Sequence, residues 1–167
     1  MSLPAWAQVS AQRRAHIERV VALLESWADA MHVPVEERAR WVRAGWLHDA
    51  VRDAPLPDPT AHGPAAADRA AADGERDRGV LDAVRYHTIG SPDWDDVGRM
   101  LYLADFLEPG RDQKVAPDRA ELARRVLRDR DGVLREVARR RIEWVLRSGW
   151  PLPASTVAFW NALVKKP

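Results

Sequence analysis

A chain of 167 residues is long enough to bury most of its surface as one domain and short for two of ordinary size. It has no cysteine, which excludes disulfides, zinc thiolates, iron–sulfur clusters and a thiol nucleophile, so any metal site must use His, Asp and Glu. The net charge of +1 argues against bulk electrostatic binding of nucleic acid, although residues 111–147 carry 12 bases against 7 acids and residues 53–96 carry 10 acids against 4 bases.

Helical periodicity dominates the chain. After Ser10, the residues Ile17, Val20, Val21, Leu24, Trp27 and Met31 recur at spacings of three and four and predict a first helix with one buried face. Pro34 suits the first turn of a second helix, with Val35, Ala39, Val42 and Trp46 turned inward. Pro55, Pro57 and Pro59 mark a loop that runs to Pro64, where an Ala-rich third helix opens and continues to Asp73-Gly74. A fourth helix runs from Arg78 to His87 and ends at Gly90. Ser91-Pro92, followed by Asp93, Asp95 and Asp96, predicts the start of a fifth, which buries Val97, Met100, Leu101 and Ala104 and stops at Pro109-Gly110. Pro117 and Asp131 start two more, the second repeating Leu134, Ala138, Ile142 and Val145, and a short last helix follows Pro153. With no alternating β-branched segment of useful length, the fold class is all-α.

Arg13, Arg14 and Glu18 interrupt any apolar run that would make a signal peptide. The uncharged stretch from Ser148 to Val164 holds Pro151, Pro153 and Asn161, too short and too polar for a membrane span. The chain is expected to be cytoplasmic, without nucleic-acid or membrane partners, and a homodimer is compatible with it.

Four of the five histidines invite explanation. His16 lies on the apolar side of the first helix, where a core histidine hydrogen-bonded to a carbonyl is one reading. His48-Asp49 closes the second helix; an imidazole followed by a carboxylate can hold one cation from two directions. His62 stands at a helix start and His87 at a helix end, positions that also suit capping. Asp105 lies on the buried stripe of the fifth helix, where it needs a cation or a salt bridge to Arg99, Arg111 or a later arginine. The order His16, His48-Asp49, His62, His87, Asp105 places each candidate on a separate element, an arrangement that converges naturally inside a helical bundle.

Three blocks carry a family resemblance over nearly the whole chain. Gly45 to Asp49 resembles the apolar lead into the His-Asp pair of HD-domain phosphohydrolases. Ala83-Val84-Arg85-Tyr86-His87-Thr88-Ile89-Gly90 resembles the IRYHTTG block of YqeK-like proteins within that superfamily, and Tyr102 to Arg111 resembles their YIADYIEPGR block. The tail from Ser155-Thr156 to Asn161 is similar to their terminal Thr…Asn element.

The resemblance implies symmetrical hydrolysis of diadenosine tetraphosphate to two ADP, with a divalent metal, iron or alternatively manganese. By position His16, His48, Asp49 and Asp105 match the metal ligands, with one ion favoured and two compatible. His62, His87, Thr88 and Arg111 match residues near the phosphates, with Asp49, His62, His87 and Arg111 as the catalytic set. Arg13, Thr156 and Asn161 are further candidates for nucleotide contacts. Two departures stand out: Arg52 occupies a place where the family has lysine, and the connection from Asp49 to His62 is short and proline-rich, without a helix that would flank the nucleotide. Rival readings are an HD-type hydrolase of a nucleoside monophosphate or guanosine polyphosphate, and an inert nucleotide sensor. Trp94 or Trp160 is a candidate for stacking on a base, against ordinary core packing for the tryptophans as a set.

Overall fold

The computed structural model describes residues 2–111 and 117–165. Among these residues there are eight helices and no strand: α1 (Ala11–Ala30), α2 (Val35–Leu47), α3 (His62–Ala72), α4 (Arg78–Tyr86), α5 (Asp96–Leu107), α6 (Arg119–Arg125), α7 (Arg130–Arg147) and α8 (Ala154–Val164). No helix among them is long and apolar enough to cross a membrane.

Helix starts follow side chains that satisfy the orphan amides of a first turn. Ser10 accepts from the Arg13 amide, Asp77 from Val80, Asp95 from Val97 and Asp129 from Gly132. The fifth helix therefore begins at Asp96, several residues beyond Ser91-Pro92. Several capping residues crowd that stretch, and Asp95 is the one whose carboxylate reaches the backbone of the first turn.

Helix α5 is the axis of the fold. Val97, Met100, Leu101, Tyr102, Leu103, Ala104 and Leu107 are all buried, so the helix is covered nearly all round. Helices α1, α2 and α4 pack on it from one side, with α3 laid along α4, while α6 and α7 cover the other side and α8 packs on α7.

The buried face of α2 differs from the expected one. Val35 and Ala39 are exposed and Val42 and Trp46 half-buried, whereas Trp41, Ala44 and Gly45 are buried and His48 follows on the same stripe. These residues recur at three, four and seven positions, and the small pair Ala44-Gly45 lets α1 come close beside them. That choice of face turns His48 inward.

Trp94 also belongs to the core. Its ring packs against Tyr102 and Phe159, with centroids 5.6 and 5.2 Å away, and its indole N–H donates to the Asp82 carbonyl at 3.1 Å. Trp94 is therefore buried with no face free for a base, and Trp160 is half-buried against the same core. On α7, Leu134 and Ala138 are buried, while Ile142 and Val145 are half-buried, because the last turns of α7 run past the central bundle.

Candidate metal centre

The polar groups that the fold buries are concentrated where helix ends meet. His16 is within α1, His48 caps the end of α2 with Asp49 beyond it, His62 is the first residue of α3, His87 caps the end of α4, and Asp105 lies on α5. All six are buried to 5% exposure or less. Gly63 permits this junction, since a Cβ there would stand 2.6 Å from the Arg85 carbonyl oxygen, so only glycine lets α3 start this close to the end of α4.

Each of the four imidazoles is tied down by its Nδ1. His48 donates to the Gly45 carbonyl, His62 to Pro59 and His87 to Val84, each at 2.7 Å, and His16 donates to Glu108 Oε1 at 3.1 Å. These bonds fix the tautomer and point four Nε2 lone pairs inward.

The inward atoms form two groups that share Asp49. Its Oδ2 lies 3.6 Å from His16 Nε2 and 3.7 Å from His48 Nε2, and these two nitrogens are 3.4 Å apart. Asp105 Oδ1 joins that group, 3.1 Å from His16 and 4.0 Å from His48. Asp49 Oδ1 faces the other pair, 3.2 Å from His62 Nε2 and 3.4 Å from His87 Nε2, which are 3.0 Å from each other.

Neutral imidazoles anchored in this way turn only lone pairs toward one another and toward a carboxylate, which a cation between them satisfies. Ligands of one octahedral ion at about 2.1 Å stand about 3 Å apart, close to the shorter of these spacings. The donor set, imidazole with carboxylate and no thiolate, suits iron, manganese or zinc.

Charge around the donors agrees with that fit. Burial pushes the His48 imidazole down to about 4, so it stays neutral and able to ligate. Burial also opposes ionisation of Asp49 and Asp105. Both nonetheless stay well below the usual carboxylate range, Asp49 through its contacts with the surrounding imidazoles and Asp105 through the charges of Arg111 and Arg141. His16 is the exception, since burial there is outweighed by Asp105 and Glu108, which raise its pKa.

Arginines close the rim. Arg13 donates to Asp49 Oδ2 at 2.7 Å, Arg111 to Asp105 Oδ1, and Arg141 to Asp105 Oδ2 at 2.8 Å. The Thr88 hydroxyl lies 3.3 Å from Nε2 of both His62 and His87. Thr156 is buried and donates to the Ile89 carbonyl at 2.7 Å, which ties α8 to the segment after His87, while Asn161 is exposed further along α8.

A family model described as the HD domain matches residues 13–116, the stretch that holds all six donors. The chain belongs to the HD-domain family. Two curated relatives, from Halalkalibacterium halodurans and Bacillus subtilis, each carry the name symmetrical bis(5'-nucleosyl)-tetraphosphatase and are 29% identical over 91 residues. That match covers 54% of this chain and 47% of each relative, so the chain spans about half the length of the curated relatives it matches. The fold is that of a Clostridium acetobutylicum crystal structure described as a predicted HD superfamily hydrolase involved in NAD metabolism. The TM-score is 0.80 at 23% identity, covering 95% of this chain and 92% of the other.

Sequence reasoning did not single out two members of this HD site. Glu108 directly follows α5, and its partnership with His16 spans 92 positions and has no local signal. Arg141 sits in an arginine run that reads as a solvated helix face.

Proposed function

We propose that this HD domain is a metal-dependent phosphohydrolase that splits a dinucleoside tetraphosphate symmetrically, diadenosine tetraphosphate giving two ADP. The observation that carries the reading is Asp49, whose two carboxylate oxygens face two different histidine pairs in one buried centre. The names of the two curated relatives support the substrate class.

In this reading His16, His48, Asp49 and Asp105 hold one divalent ion, and Asp49, His62 and His87 hold a second; iron is the proposed metal and manganese the alternative. The sharing of Asp49 favours two ions over one. When bound, such ions supply Lewis acidity at a phosphate oxygen and lower the pKa of a coordinated water.

The chain's own residues do the rest. Arg13 and Arg111 offer forked donors at the rim, where they bind phosphate oxygens and offset the charge that develops on them. The Thr88 hydroxyl donates to an oxygen on the His62–His87 side. Arg141 keeps Asp105 ionised and oriented, and burial of the donors excludes bulk water from the reacting atoms.

A second reading, hydrolysis of a nucleoside monophosphate or guanosine polyphosphate, draws on the short Asp49–His62 connection, which contributes no helix to wall in a nucleoside. The inert-sensor reading has less support, because every donor expected from the resemblance is present and convergent.

Chromatography of the products formed from diadenosine tetraphosphate with iron or manganese tests the assignment. ADP alone is expected. Equal ATP and AMP would reject the symmetrical mode, and turnover of mononucleotides alone would favour the second reading.

A further inference from the structure

Beside the centre lies a cavity of about 260 Å³ whose walls include Thr88, Ile89, Tyr102, Arg141, Trp144 and Trp150. Two of these walls belong also to the centre. Thr88 is 3.3 Å from His62 and His87, and Arg141 reaches Asp105 at 2.8 Å while its guanidinium lies 4.3 Å from the centroid of the buried Tyr102 ring.

The other side is made of two exposed indoles. Trp144 is 56% and Trp150 52% exposed, an unusual state for adjoining tryptophans. Their rings meet edge to face, with centroids 5.1 Å apart and planes at 87°, so the ring that presents its edge has neither face covered by its partner.

Trp150 is held in place by the backbone. Gly149 adopts the left-handed conformation at φ 70°, and the Trp150 amide donates back to the Val145 carbonyl at 3.2 Å, closing the end of α7 in a Schellman turn. Pro151 and Pro153 stiffen the chain that follows. A ring presented on such a turn loses little freedom on binding.

A second cavity, of about 380 Å³, shares Arg141 and Trp144 with the first and is lined by Arg111, Arg119, Arg140 and Arg147 together with one carboxylate, Glu143. A ligand with a flat aromatic head and an anionic tail satisfies both the indoles and the guanidinium groups.

We propose that Trp144 and Trp150 form the stacking subsite for the base of the nucleotide whose phosphates reach the metal centre. The proposal rests on the nucleotide reading given above and names the residues that grip the nucleoside. Stacking is tolerant of base identity, because every base has a π face, and its loss costs about tenfold or more in affinity. Neither indole carries out chemistry; both act on binding.

Calorimetric titration of the metal-loaded protein with ADP and with inorganic diphosphate tests this. For the double variant Trp144→Ala, Trp150→Ala the ADP dissociation constant should rise about tenfold, about 1.4 kcal/mol, while that for diphosphate stays within twofold of wild type. Trp144→Phe with Trp150→Phe should restore most of the ADP affinity. In turnover of diadenosine tetraphosphate, the alanine variant should show a raised KM with kcat largely kept. Unchanged ADP affinity in the alanine variant would overturn the subsite and leave the hydrolase reading standing. A wild-type dimer that the substitutions dissociate, with ADP affinity unchanged, would overturn it by assigning the indoles to a subunit contact. Wild-type protein that binds neither ligand would remove the nucleotide reading and the subsite with it.

Discussion

His16 and Glu108, 92 positions apart in the chain, meet in the interior, where His16 Nδ1 donates to Glu108 Oε1 at 3.1 Å. Glu108 is itself held by Arg19 Nε at 2.6 Å and by the Gly110 amide at 2.6 Å. Despite its burial, the hydrogen bonds from His16, Arg19 and Gly110 bring its pKa down to about 2, so it is an ionised acceptor across the physiological range. A carboxylate behind a ligating imidazole fixes the ring and raises its basicity.

Glu108→Ala should therefore weaken metal binding by about 10- to 100-fold with helical content retained. Metal titration followed alongside circular dichroism checks this. Wild-type metal affinity in the variant would show that His16 needs no such support.

Arg40 links the caps of two helices. It donates to Asp77 at 2.7 Å and to Asp95 at 2.6 Å, the residues that begin α4 and α5, and to Glu37 at 2.6 Å within its own helix. Arg40→Met should lower stability by about 1–2 kcal/mol near neutral pH, allowing for partial solvent screening of the cluster. The hydrogen bond from Arg40 depresses the Asp77 pKa. A depressed carboxylate contributes stability that is present above its unfolded value, about 4, and is lost as pH falls through the lower folded value. The difference between wild type and Arg40→Met should therefore shrink on acidification. Urea unfolding at pH 7 and at pH 3 measures it, and a difference that grew at pH 3 would contradict the linkage.

The backbone after α1 turns at His32, which has a positive φ of 52°. The Val33 amide closes that turn on the Ala28 carbonyl at 2.9 Å. Glycine adopts this conformation without the steric cost that a side chain meets. His32→Gly should raise stability by about 0.5–1 kcal/mol, read as an upward shift in Tm with unchanged activity.

Much of the fold is legible in the chain because proline, glycine and aspartate punctuate it. All eight helices of the described residues correspond to expected ones; the start of α5 moved where several capping residues compete, at Ser91 and Asp95, while α3 begins at His62, two residues before the expected Pro64 and without a capping side chain. The buried face of α2 was harder to read. Val35, Val42 and Trp46 are more apolar than Ala44 and Gly45, yet close approach of α1 selects the small residues. The six convergent donors were legible from their order, since each is a chemically costly residue at a helix end or on an apolar stripe. Glu108 and Arg141 were not, because their meaning comes from contacts across the bundle and their types are common on solvated helix faces, and Trp144 and Trp150 were not, because tryptophan in a sequence reads as core.

Base tolerance is a further expectation. With no helix between α2 and α3 to wall the nucleoside and with stacking as its main grip, adenosine and guanosine tetraphosphate substrates should differ in kcat/KM by less than about tenfold, or 1.4 kcal/mol. Competition between the two substrates gives that ratio directly. A hundredfold preference would require a base-reading hydrogen bond in the cavity.

The sharing of Asp49 between two histidine pairs is tested most directly by counting metal ions per chain after reconstitution with manganese or, without oxygen, with iron. About two ions are expected in wild type and about one in His62→Ala or His87→Ala. His48→Ala should lose the ion on its own side together with nearly all turnover, its helical content kept. A His48→Ala or Asp49→Ala protein that retained the wild-type complement of metal and full activity would contradict the account.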